Sequence, residues 1–152
     1  MIKWKKLIIC ILIPNILGFL GSLIGNVQNG FNGIIKPSFT PPAIVFPIAW
    51  VILYTLMGIS TYLISENNSK DKTKSLVLYS IQLILNVLWT FFFFNLKWFL
   101  FSFILVVLIL ILVILMIVEF YKIKPLAAYL QIPYILWLIF AAILSYNVFL
   151  LN

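Results

Sequence analysis

The sequence predicts an all-α fold, one integral membrane domain of five transmembrane helices over residues 1–152, and three observations lead there. Hydrophobic residues fill 65% of the 152 positions and charged ones 9%, more apolar surface than a small domain can hide from water. Charged or Pro/Gly-rich breaks divide the chain into five stretches near the roughly 20 apolar residues that cross a hydrocarbon core: about 7–25, 43–64, 75–96, 98–118 and 125–151. These runs are too long and too uniformly apolar for alternating barrel strands. Helices are then the structure that satisfies each backbone N–H and C=O inside the membrane.

The first span, in "MIKWKKLIICILIPNILGFLGSLIG", has an apolar body from Leu7 to Gly25 without a clear A-x-A site, so it reads as a retained helix and not a cleaved signal. "LIIC" has large residues where a lipoprotein box needs small ones. Gly21 and Gly25 have G-x-x-x-G spacing, which lets a helix of this chain or of another copy approach closely. Residues 26–42, "NVQNGFNGIIKPSFTPP", form the one long connection. Pro37, Pro41 and Pro42 stiffen it, and Pro42 falls close to the first turn of the second span. Pro14 and Pro47 are placed near span starts, whereas Pro133 lies deeper and predicts a kink in the fifth span. The short connections after spans two, three and four imply antiparallel neighbours.

Orientation follows from the lysines. Lys3, Lys5, Lys6, Lys70, Lys72, Lys74, Lys122 and Lys124 fall on one side, Lys36 and Lys97 on the other, which predicts a multi-pass protein of the cell membrane with a cytoplasmic N-terminus. The net charge of +7 sits in clusters beside apolar runs and not along one soluble face, so membrane lipids with anionic headgroups are the expected partner and nucleic acid is not. With one cysteine, Cys10, and no histidine, neither a disulfide within the chain nor a metal site is expected. No acid/base pair, metal cluster or activated nucleophile is assembled, so no catalytic residue is assigned with certainty. Intramembrane carboxylates and internal repeats are lacking too, which argues against active transport.

Three spans share a style. In the second, Phe46, Trp50, Tyr54 and Met57 recur at helical spacing along one stripe. In the third, Gln82, Asn86, Trp89 and Phe93 share a face, where two amides must avoid lipid. In the fifth, Tyr134, Trp137, Ala141 and Ser145 do the same, with Ala141 leaving room between larger groups. Each stripe alone is compatible with interhelix packing, an interfacial aromatic belt or hydrogen-bonding glue. Together they suggest an interior that takes a flat, mainly apolar molecule, with Lys36 at its rim.

"KPSFTPP", "VFPIAWVILYTLMG", "QLILNVLWTFFF" and "PYILWLIFAAIL" resemble, in order, blocks of the TspO/MBR family of tryptophan-rich sensory and translocator proteins. The resemblance implies a five-helix bundle, often a homodimer, that binds porphyrins and other tetrapyrroles, sterol-like lipids and benzodiazepine-type ligands beneath a lid, with no required cofactor. By position it puts Pro41, Pro42, Phe46, Trp50, Asn86, Trp89, Tyr134, Trp137 and Ala141 at or near that pocket. Two alternatives remain: light-dependent porphyrin breakdown with Trp50 and Trp137 as the candidate catalytic side chains, and passive translocation of porphyrin or lipid. The chain departs from the family pattern at Gly30, Phe31, Phe39, Lys124 and Ser145.

Overall fold

The helices stop where the sequence supplies charge, proline or glycine. The computed structural model describes residues 2–152, as α1 (Trp4–Ile24), α2 (Val27–Gly30), α3 (Val45–Ser65), α4 (Lys72–Thr90) continued by a π-helical turn (Phe91–Asn95), α5 (Phe99–Ile123), α6 (Pro125–Tyr129) and α7 (Ile132–Leu151). Five helices among the described residues are long and apolar enough to cross a membrane, with α4 and its π-turn as one and α6 and α7 together as another. Around the bundle α3 packs on α1, α1 on α4, α4 on α5 and α5 on α7. The last pair of neighbours, α3 and α7, lacks comparable backbone packing. Between them is a seam, bridged at its basic end by α6, which packs on both α3 and α5.

Two prolines behave otherwise than their positions suggest. Pro14 is buried well inside α1, not near its start, because the helix begins at Trp4. Without an N–H, Pro14 leaves the Cys10 carbonyl short of its helical donor. Against this carbonyl α3 presents Gly58, where a Cβ would stand 2.5 Å from the Cys10 oxygen and 2.4 Å from the Ile11 Cα. Pro133 does not kink a continuous helix: the span breaks at Leu130 and Gln131, and Pro133 falls in the first turn of α7, where its missing donor costs little. The π-turn at Phe91–Asn95 also goes beyond the sequence reading, since a run of four phenylalanines carries no mark of a widened turn.

Apolar side chains gain little from leaving lipid for a helix interface, so close packing and polar contacts hold such a bundle. The G-x-x-x-G pair works within the chain. Gly21 and Gly25 bring α1 onto α4, where the Thr90 hydroxyl donates to the Gly21 carbonyl at 3.0 Å and a Cβ on Gly25 would sit 2.8 Å from the Thr90 carbonyl oxygen. At the basic end the Ser60 hydroxyl donates to the Ala127 carbonyl, tying α3 to α6. There Glu66 is held by Lys3 at 2.8 Å and Lys6 at 2.6 Å, and Glu119 by Lys74 at 2.7 Å and Lys122 at 3.0 Å.

The 26–42 connection, where the resemblance puts the lid, is fastened at several points. Asn152, just past α7, accepts from the Ile35 N–H and donates to the Ile35 carbonyl, both at 2.9 Å. Lys97, in the connection between the π-turn and α5, donates to the Asn32 carbonyl at 3.0 Å. Ile34 is buried with Phe93, Phe94 and Val148 beneath it.

Gly58→Ala should cost about 1–3 kcal/mol, because the obstructing atoms are backbone and cannot swing away; a lowered thermal midpoint in detergent checks it. The paired lysines hold the Glu66 carboxyl down from its ordinary 4.5 to about 2. A depressed carboxyl stabilises the folded state above its unfolded pKa and loses that effect as pH falls. Stability should therefore decline between about pH 4.5 and pH 2, and Glu66→Gln should flatten that part of the profile.

Candidate functional site

The helical periods of α3, α4 and α7 aim their polar side chains at one another. The Tyr54 hydroxyl donates to Asn86 Oδ1 at 2.8 Å, Asn86 Nδ2 donates to the Tyr134 hydroxyl at 2.9 Å, and that hydroxyl donates to Gln82 Oε1 at 2.8 Å. All four side chains are buried, Gln82 completely and Tyr134 at 1% exposure. The chain runs in one direction and ends on the Gln82 amide nitrogen, which has no partner. Apart from that nitrogen, the amide and phenol groups of these four side chains, which would be costly against lipid, are thereby paired between helices.

Above this polar chain sits a cluster of rings. Trp50 stacks on Tyr54 with centroids 5.2 Å apart and meets Trp137 edge to face at 6.2 Å and Tyr134 at 6.3 Å. Phe46 continues the cluster, 6.0 Å from Trp137 and 5.7 Å from Phe31 of the lid. Edge-to-face and offset arrangements satisfy the quadrupoles of such rings. Trp50, Phe46 and Trp137 are only half-buried, whereas Tyr54 and Tyr134 are enclosed. These side chains, contributed by α3 and α7, fill the seam that the helix backbones leave open.

Other residues singled out by sequence occupy different surroundings. Trp89 donates its indole N–H to the Ser102 carbonyl of α5 at 3.0 Å and stacks on Phe93 at 4.8 Å. It belongs to the α4–α5 contact and does not complete a trio with Trp50 and Trp137. Phe93 is buried under the lid with Phe94 and Ile34. The shared face of Gln82, Asn86, Trp89 and Phe93 thus divides, because the neighbour changes along α4 and the π-turn shifts the register of Phe93. Ala141 packs on the core at half burial and Ser145 is 1% exposed. Pro41 and Pro42 lie in the approach to α3, where the Val45 N–H donates to the Pro42 carbonyl at 2.9 Å. The exposed Lys36 places its ammonium 4.9 Å from the centre of the Phe31 ring, a cation held on an aromatic face. Phe31, in the sequence only a departure from the family pattern, bridges the lid to the ring cluster through its contacts with Phe46 and with Phe94, the latter at 4.9 Å.

Two shallow hollows lie away from these rings. One, of about 230 Å³, runs along Phe103, Ala142 and Tyr146; the other, of about 580 Å³, lies beside Lys97 and Trp98.

Residues 10–151 match the family model described as the TspO/MBR family. The chain is 38% identical over 149 residues to the tryptophan-rich protein TspO of Archaeoglobus fulgidus, covering 97% of each. It is 34% identical over 150 residues to the translocator protein of Sus scrofa, with 95% of this chain and 89% of that protein covered. To protein CrtK of Rhodobacter capsulatus it is 32% identical over 124 residues, with 80% and 78% covered.

Removing the Tyr134 hydroxyl strands both Asn86 Nδ2 and Gln82 Oε1, whereas removing that of Tyr54 strands Asn86 Oδ1 alone. At about 1–3 kcal/mol for each buried orphan, Tyr134→Phe should lower the thermal midpoint more than Tyr54→Phe, measured in the same detergent.

Proposed function

This chain belongs to the TspO/MBR family, and we propose that it binds porphyrins and other flat hydrophobic ligands between α3 and α7, among Phe46, Trp50, Tyr134 and Trp137. The observation that favours this reading is the seam itself. Two neighbouring helices lack the close backbone packing of the other pairs, and rings from both meet across the space between them. Rotating side chains opens such a seam, whereas opening a ridge-in-groove contact would require moving helices. A planar macrocycle offers the rings faces and edges of the kind they already give one another, each such pairing being worth about 0.5–1.5 kcal/mol. Asn86 and the two tyrosine hydroxyls form a polar floor. Lys36 at the lid supplies a cation for an acidic substituent that stays near water.

The membrane setting and the family fit a protein that senses or passes on a lipid-soluble molecule. A homodimer and an N-terminus on the cytoplasmic side of the cell membrane remain part of this proposal. Passive translocation and light-driven breakdown use the same cluster; illumination distinguishes the second, since only breakdown yields a new absorbing product that Trp50→Phe abolishes.

Titrating the purified protein with protoporphyrin in the dark tests the reading. Trp50→Ala and Trp137→Ala should each weaken binding by about tenfold, the loss of one well-placed ring contact. Trp89→Phe, which changes a side chain committed to α5, should leave affinity within about twofold. A loss of no more than about twofold on either alanine change would overturn the placement.

A further inference from the structure

We propose that the hollow at the lid end of α5 is a binding site for an anionic phospholipid, separate from the ring cluster and independent of the ligand reading above. This hollow, of about 580 Å³, is lined by Lys97, Trp98, Phe101, Ile104, Phe149 and Asn152 among others. Its walls come from the first turns of α5 and the last turn of α7, and they are outward-facing: Trp98 is 55% and Ile104 56% exposed. At the end of two membrane spans such a surface meets lipid, with Trp98 at the depth where indoles anchor in the headgroup layer.

Charge selects the kind of lipid. Lys97 and Lys36 carry the two charged side chains at this end of the bundle, and all three acidic side chains lie at the other end. Lys97 sits just after the π-turn with φ of 54°, a left-handed backbone that a non-glycine residue seldom adopts. Its ammonium spends one donor on the Asn32 carbonyl and has two more to give. Asn152 is already committed to Ile35 and Val148, which leaves Lys97 and the Trp98 indole N–H as the polar rim. A phosphate with net negative charge fits that rim, and an acyl chain fits the groove along Phe101, Ile104 and Phe149. A lipid so placed would rest beside the residues that fasten the lid.

Trp98 supplies the readout. The full chain is reconstituted in vesicles of phosphatidylcholine containing a fixed fraction of brominated phosphatidylglycerol or brominated phosphatidylcholine, and quenching of the fluorescence lost on Trp98→Phe is compared. One lysine near the membrane surface should favour the anionic lipid by about fivefold. The preference should vanish in Lys97→Gln and persist in Lys97→Arg, which keeps the charge. Equal quenching by both lipids, or a preference that survives Lys97→Gln, would overturn the site.

Discussion

Inside lipid a polar group without a partner has no water to fall back on, and this constraint organises the protein around the chain from Tyr54 through Asn86 and Tyr134 to Gln82. Each of α3, α4 and α7 contributes a member, so these helices cannot rotate independently without stranding a donor or an acceptor. Apolar contacts between helices are nearly interchangeable with contacts to acyl chains. The polar chain is directional and fixes the azimuth of each helix. Once it is set, Trp50 and Trp137 are obliged to face one another across the seam.

The remaining contacts divide into those that close the bundle and those that leave it adjustable. Glycines against backbone, at Gly58 and Gly25, make α1 a rigid brace for α3 and α4. Two of the three acids at the basic end, Glu66 and Glu119, are each held by two lysines and tie α1 to α3 and α4 to α5. By contrast, aromatic rings and a strapped lid close the α3–α7 seam and its mouth. Stiffness is therefore concentrated on α1 and at the basic end. Compliance lies around the rings, where a guest would have to be accommodated.

Much of this was legible in the sequence because lipid imposes length and polarity on each span. The five spans, the long 26–42 connection and the inward amides follow from spacing and from the cost of polar groups in hydrocarbon. Pro14 was misplaced because the first helix takes in Trp4, Lys5 and Lys6, which a search for apolar residues trims away. The π-turn left no trace, since "FFFF" reads the same in either helix type. Trp89 shows the deeper limit: a helical period gives the direction of a side chain but not the neighbour it meets, and α5 intervenes there. The role of Phe31 could not be read from its own position, because its partners Phe46 and Phe94 come from helices far along the chain.

The interruption at Leu130 and Gln131 has a mechanical meaning. Ahead of it α6 is clamped, with Ala127 and Ala128 buried and Ser60 bonded to the Ala127 carbonyl; beyond it Pro133 cannot donate back to the Tyr129 carbonyl. The last crossing is therefore a short clamped stub followed by a longer helix, and Gln131 between them is buried and donates its amide to the Leu56 carbonyl of α3. Trp137 lies in the second turn of that helix and Asn152 just past its end, so a single element carries both a ring of the seam and the strap on the lid.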